Sequence, residues 1–254
     1  MRVRFVGSSV GSHLGHQYTT SFVIDDHIAV DAGSIGFISP LSVQQAIRHV
    51  FISHSHIDHT ASLATFLDNV YESAPECPTI YTSDHVIDAL KQDLFNERVW
   101  PDLIRLSSEE TAFLKLVTTV PRTPIQLGNH TVTPIEVNHI VPTCGFIIED
   151  DTTAISIVSD TGPTDEIWEH IRDNPKMKAV FLEAAFPNSM GWLAEKSLHL
   201  TPEMFGEQVQ RIKDGIPVIA VHLKVRFFDQ IVAELNDLNL PNVEVSKPDH
   251  DYVF

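Results

Sequence analysis

The stretch Phe51-Ile52-Ser53-His54-Ser55-His56-Ile57-Asp58-His59-Thr60 places three histidines and one aspartate within six residues. It continues the apolar run Val50-Phe51-Ile52 and leads into a helical pattern. A loop leaving a strand can turn alternate side chains toward one point. Imidazole nitrogen and carboxylate oxygen are the ligands Zn²⁺ prefers when no thiolate is at hand. The His54–His56 pair can share one metal, and the adjacent Asp58–His59 pair can turn to a second beside it. The competing reading, a polar loop with capping histidines, needs four ligand-type residues to fall into this pattern by chance.

The chain around this segment has 254 residues, 43% hydrophobic and 20% charged, which suits one domain over 1–254 with a full two-layer core. No run of eighteen apolar residues is present, so no membrane-spanning helix is expected. Residues 1–6, Met-Arg-Val-Arg-Phe-Val, alternate like a strand and lack the apolar stretch of a signal peptide, which points to the cytoplasm. The two cysteines, Cys77 and Cys144, cannot make a disulfide framework and read as buried thiols. The net charge of −17 repels a long polyanion, so nucleic acid is not expected as a partner. A small anionic substrate stays open, because bound metal ions can supply local positive charge. Fourteen histidines is a high count, but only their spacing is informative.

Patterning predicts strands over 2–6, 21–24, 28–31, 49–52, 115–120, 131–137, 145–149, 154–158, 179–182 and 218–221. Helices are predicted over 41–48, 60–73, 84–98, 165–172, 202–213 and 226–238. Thr201 before Pro202, and Thr164 before Asp165, read as N-caps. Two sheets with helices outside them would bury this set, and so would a doubly wound sheet. The metal motif decides between them.

That motif, His-x-His-x-Asp-His, resembles the signature of the metallo-β-lactamase superfamily, an α/β fold of two mixed sheets with helices on the outer faces (an αββα sandwich). The resemblance runs from about residue 3 to 225. It implies further ligands at strand ends downstream. His139 sits in Asn138-His139-Ile140 ahead of Gly145-Phe146, Asp160 opens Asp160-Thr161-Gly162, and His222 opens His222-Leu223-Lys224. The implied partition gives His54, His56 and His139 to one cation, and Asp58, His59 and His222 to the other. Asp160 bridges them, and Asp31 orients ligand histidines. Zn²⁺ is favoured, with Mn²⁺ or Fe²⁺ also suited to such sites.

Within the superfamily, position 160 is Asp rather than Cys, which disfavours a secreted β-lactamase. His56 stands where redox members carry Glu. The segments Glu183-Ala-Ala-Phe186 and His199-Leu200-Thr201-Pro202 resemble those of tRNA 3′-processing endonucleases and, more closely, of class II cyclic-nucleotide phosphodiesterases. A departure is Ala61-Ser62, where that class carries a glycine nearby. No basic, glycine-rich arm of the endonuclease kind is found.

The resemblance implies hydrolysis of a 3′,5′-cyclic nucleotide by a hydroxide bridging two cations. Asp58, His199 and Glu183 are the catalytic residues, His199 being the acid that Glu183 holds protonated. It also implies a homodimer. Alternatives are an RNA-processing endonuclease, a thioester or lactone hydrolase, and a metal-bound protein that sequesters a nucleotide without turnover. Tyr18, Phe37, Trp192 and Phe227 could stack on a base, although core packing is the commoner use of aromatics. Lys224 reads as an exposed lysine, with a phosphate contact as the alternative.

Overall fold

A computed structural model describes residues 1–8, 15–71, 76–107 and 112–254. Its strands are β1 (Arg2–Phe5), β2 (Phe22–Ile24), β3 (Ile28–Val30), β4 (His49–Phe51), β5 (Thr79–Thr82), β6 (Lys115–Thr118), β7 (Ile125–Leu127), β8 (His130–Val137), β9 (Thr143–Glu149), β10 (Ala154–Ile157), β11 (Met177–Glu183), β12 (Val218–Val221), β13 (Val243–Val245) and β14 (Asp251–Val253). They form two sheets, ordered β14-β1-β2-β3-β4-β5-β6 and β13-β12-β11-β10-β9-β8-β7. Each sheet is mixed. Strands β3 to β6 pair in parallel in the first, and β10 to β13 in the second. The pairs from β14 through β1 and β2 to β3 in the first sheet, and β7 to β10 of the second, are antiparallel.

The core lies in three layers. Between the sheets, Phe5, Phe22 and Phe51 of the first meet Phe146, Ile155 and Phe181 of the second. The Phe22 and Phe181 rings meet edge to face at 5.3 Å, as do Phe51 and Phe146 at 5.6 Å. Outside the first sheet, Val50, Ile52 and Ile80 pack under α1 (Leu41–Ala46), the paired helices α2 (Ile57–Thr60) and α3 (Leu63–Asn69), and α4 (Asp84–Ala89). A short α5 (Leu103–Leu106) follows. Outside the second sheet, Val180, Leu182 and Ala220 pack under α6 (Glu166–Asp173), α8 (Pro202–Val209) and α9 (Phe228–Asp237), while α7 (Gly191–Ser197) precedes α8. Helices outside, sheets facing: this is the αββα arrangement.

Local chemistry sets these elements. The central strand β12 is buried on both faces and reads as an unbroken apolar run, Val218-Ile-Ala-Val221, and β10 is buried throughout with Ser156 as its one polar residue. Strand β1 alternates, with Val3 and Phe5 inward and Arg2 and Arg4 outward; Arg4 is bonded to Asp251 of β14. In α6, Ile167, Trp168 and Ile171 form one buried stripe. Thr201 caps α8 as expected, its Oγ1 accepting from Met204 N, with Pro202 following.

Several expectations are corrected. Strands β5, β7, β13 and β14 and helices α5 and α7 were not foreseen. The helix expected over 60–73 begins at Ile57 and breaks at Ala61-Ser62, where Ser62 Oγ accepts from Gly36 N and donates to Ala32 O; residues 72 and 73 lie outside the described ones. Beyond Ala89 the chain widens to i→i+5 bonding, with Phe95 N donating to Leu90 O. Thr164 is not a cap: α6 starts one residue later, and the Thr164 amide is engaged by Gln208 Oε1.

Candidate metal centre

The parallel strands β3, β4, β10, β11 and β12 deliver their carboxyl ends to one edge of the sandwich. Each is followed by a site residue: Asp31, the Ser53–His59 segment, Asp160, Glu183 at the last position of β11, and His222. His139 follows β8 to the same edge. The backbone turns sharply there. Asp31, Ser159, Leu198 and His222 have φ of 62°, 64°, 52° and 59°. Non-glycine residues rarely adopt this left-handed region, and such outliers cluster where function constrains the chain. Gly33 lets two of these loops meet: a Cβ there would fall 2.2 Å from Asp58 O and 2.7 Å from Thr20 O.

All seven residues expected as ligands converge, in two overlapping sets that coincide with the partition implied by the resemblance. His54, His56, His139 and Asp160 form one, and Asp58, His59, Asp160 and His222 the other, with ligand-type atoms within 4.8 Å of one another in each. In the first, His56 Nδ1 is 3.0 Å from His54 Nε2 and 3.3 Å from His139 Nε2. In the second, Asp160 Oδ2 is 3.3 Å from His59 Nε2 and 3.4 Å from His222 Nε2. Asp160 belongs to both, and to a third group with Glu183 and His199.

The outward nitrogens are engaged by the protein, which fixes ring orientation. His59 Nδ1 is 2.7 Å from Asp31 Oδ2. His54 Nδ1 meets Ser53 Oγ at 2.9 Å, and Ser53 Oγ donates to the same Asp31 oxygen at 3.0 Å. Asp31 thereby orients one histidine of each set. His139 Nδ1 donates to Leu198 O at 3.0 Å, and His222 Nδ1 meets Thr20 Oγ1 at 3.1 Å. Four histidines thus turn Nε2 inward, while His56 offers Nδ1.

The residues present fit divalent cations. In the first set the inward nitrogens of His54 and His139 sit 3.0 and 3.3 Å from His56 Nδ1, and in the second the buried His59 Nε2 has no hydrogen-bond partner. Burial lowers the pKa of His54, His56 and His139, keeping them as neutral donors. Burial pushes His222 to about 3, with Lys224 adding to the effect against the pull of Asp160. Burial also opposes charge on His59, but Asp160 and Asp31 overcome it and raise that imidazole well above the usual range. The pull of these carboxylates is for positive charge. A nitrogen and carboxylate set without thiolate matches Zn²⁺, Mn²⁺ or Fe²⁺.

Beside these sets lies an acid–base couple. His199 Nδ1 is 2.6 Å from Glu183 Oε1, and both residues are buried. Glu183 also accepts from Thr161 N at 2.8 Å and Leu200 N at 3.2 Å. Burial works against charge on His199, yet Glu183 outweighs it and raises its pKa. The His199 ring lies parallel to that of His222, 5.5 Å between centroids, and Phe186 borders it at 5.6 Å.

Of the aromatics weighed as base platforms, Tyr18, Phe37 and Trp192 are exposed, and Tyr18 lines a cleft with Thr19, Thr20, His222 and Lys224. Phe227 is not exposed; it packs against the core outside the second sheet. Ser53, Thr20 and the Leu198 carbonyl were not foreseen from sequence. Ser53 adjoins the motif and could have been suspected, whereas nothing local marks Thr20, 202 residues from its partner. Cys144 is buried, its thiol pushed up to about 12 by burial, and Cys77 is partly exposed and free.

Residues 38–213 match the family described as cAMP phosphodiesterases class-II. A probable 3′,5′-cyclic-nucleotide phosphodiesterase of Yersinia pestis is 25% identical over 231 residues, covering 80% of this chain and 64% of that protein. The 3′,5′-cyclic-nucleotide phosphodiesterase 1 of Saccharomyces cerevisiae is 26% identical over 218 residues, covering 72% and 58%. The chain thus spans about three fifths of the length of these relatives. Among solved structures, unliganded yeast PDE1 superposes with a TM-score of 0.77 at 19% identity, covering 98% of both chains. The metallo-β-lactamase fold protein YhfI of Bacillus subtilis gives 0.75 at 17%, covering 99% of both. Human tRNase Z, short form, gives 0.68 at 15%, covering 100% of this chain and 99% of that one. The fold is that of the metallo-β-lactamase proteins, and the chain belongs to the class-II cAMP phosphodiesterase family.

Proposed function

We propose that the chain is a hydrolase that opens 3′,5′-cyclic nucleotides to nucleoside 5′-monophosphates, using two divalent cations, with Zn²⁺ favoured. The observation that carries this reading is the Glu183–His199 couple, at 2.6 Å, against Asp160, the residue common to both ligand sets. His54, His56 and His139 would hold one cation, Asp58, His59 and His222 the other, and Asp160 both. When bound, such ions supply Lewis-acid charge and activation of water. Set against the carboxylates of Asp58 and Asp160, two divalent ions leave a net charge of about +2, which suits an anionic phosphodiester.

The chain's own residues do the rest. Asp31, Ser53, Leu198 and Thr20 fix the ligand rings. Glu183 fixes His199 with Nδ1 bound, which leaves Nε2–H as the proton donor to the departing ribose oxygen. The backbone amides of Thr161 and Leu200 fix Glu183 in turn.

Both curated relatives are named as cyclic-nucleotide phosphodiesterases, which supports the substrate class. The net charge of −17 favours a small anion over a polynucleotide, so a tRNase Z-like activity is the weaker reading despite the shared fold. No helix among the described residues is long and apolar enough to cross a membrane. A cytoplasmic location is part of the proposal, as is a homodimer, which rests on resemblance alone; sedimentation tests the dimer. The function is tested by offering cyclic AMP, cyclic GMP, pyrimidine cyclic nucleotides, a precursor tRNA and a thioester panel to zinc-loaded and chelated protein. Zinc-dependent release of 5′-monophosphate is expected. Turnover of tRNA or thioester with every cyclic nucleotide untouched overturns the reading.

A further inference from the structure

Lys224 lies two residues beyond His222 and belongs to neither ligand set nor to the proton-donating couple. Its Nζ is 3.0 Å from His222 Nε2 and 3.5 Å from Asp58 Oδ2. His222 Nε2 also faces the shared Asp160, 3.4 Å from its Oδ2, and lies 3.8 Å from Asp58 Oδ2. An ammonium is a compact point charge with three rotatable donors, so it can bond an imidazole lone pair and a carboxylate at once.

The ring of His222 cannot serve two partners with one lone pair. Its Nδ1 is engaged by Thr20 Oγ1 at 3.1 Å, so turning the ring to offer the other nitrogen would break that contact. A cation bound through His222 therefore has to take Nε2 from the ammonium, and it competes with the same ammonium for the charge of Asp58. The other set differs. Among the described residues, His54, His56 and His139 have no lysine or arginine in contact, and Asp160 forms its ion pairs with histidines alone.

We infer that Lys224 is a tethered competitor for the second cation, holding His222 and Asp58 until a divalent ion displaces it, so that the two sites fill in sequence with the His54–His56–His139 site first. This rests on the two-cation reading given above. It makes the second site a threshold: the second ion binds only when its concentration outweighs an ammonium held permanently at the site. The Lys224 side chain is 36% exposed, so solvent is available to the displaced group.

The test is zinc titration of the full chain against a chromophoric chelator, with bound metal counted by mass spectrometry after dialysis at buffered free zinc. Wild type is expected to bind in two separated steps. K224M, of similar length and uncharged, should tighten the weaker step by about 10- to 100-fold, the worth of a charge-assisted hydrogen bond, and leave the tighter step unchanged. K224R should keep the two separated steps. A weaker step that is unchanged or loosened in K224M overturns the inference while the metal centre stands. No zinc bound by wild type overturns the centre and the inference together. A second readout needs no variant: acetylation of Lys224, followed by peptide mass spectrometry, should speed up as zinc passes one equivalent, and a rate indifferent to the second equivalent also overturns it.

Discussion

Two groups of histidines sit at opposite ends of the sandwich, and only one is arranged as a centre. Strand β8 separates them. His130 opens it, while His139 follows its far end, roughly 25–30 Å away at 3.3 Å of rise per residue. Around His130, the imidazole Nε2 is 2.8 Å from Asp25 Oδ2, His27 Nδ1 donates to Asp25 O at 2.6 Å, and His49 Nδ1 is 3.2 Å from the Tyr81 hydroxyl. These rings each bind a separate protein atom, two of them on Asp25, rather than one another. His130 Nδ1 is buried without a partner, but one bare nitrogen does not make a chelate. Among the described residues, no three ligand-type atoms gather there. At the other end five imidazoles present nitrogens to one another around a shared carboxylate. Convergence of inward nitrogens, with outward ones tied down, separates a centre from a cluster.

Substitutions at the two ends should break or sharpen this contrast. The largest effect is expected for Asp160→Ala, which removes the one atom common to both sets. Bound metal and turnover should fall together, turnover by roughly a thousandfold or more, as activation of water is lost; near-normal metal content would dissolve the distinction between the ends. Next is His199→Ala, expected to lower kcat by roughly 10²–10⁴ with metal content intact. Full activity in that variant would remove His199 as the acid. Asp31→Ala frees the outward nitrogen of His59 and removes the carboxylate that anchors the Ser53 hydroxyl against His54. Affinity for zinc should drop by about 10- to 100-fold, read by chelator competition. The smallest effect is set at the other end: His130→Ala should cost about 1–2 kcal/mol in denaturant unfolding, for a lost buried hydrogen bond, and leave bound zinc unchanged. Loss of zinc in that variant would show that the two ends are coupled.

The same contrast explains what could be read in advance. Four members of the centre lie within six consecutive residues, so their spacing is itself a signal. His139, Asp160, Glu183, His199 and His222 are single polar residues at the ends of different elements. Topology gathers them, and only resemblance to a family pointed to them. The orienting contacts were less visible still, because a hydroxyl such as Thr20 or a carbonyl such as Leu198 carries no distinctive pattern. In the fold, the long or strongly apolar strands were legible. Strands β7, β13 and β14 have three residues each and lie at sheet edges, too short for a period of two to show. Strand β5 is interior and its Thr-Ile-Tyr-Thr is strand-like in composition, but four residues directly after Pro78 make too short a run to stand out. The left-handed turns at Asp31, Ser159, Leu198 and His222 went unread because none is a glycine.

The pairing of β1 with β14 brings the chain ends together: Met1 N donates to Phe254 O at 3.1 Å, and Phe254 N to Met1 O at 3.0 Å. They meet at the base, with the metal centre at the summit. A short peptide joining residues 1 and 254 would close this 254-residue stretch into a ring. Fresh ends could then be cut at the exposed Gly128 turn between β7 and β8, also at the base. Such a circular permutant would keep every loop of the centre intact, and a tether fixed at either point would hold the protein to a support with its mouth facing outward.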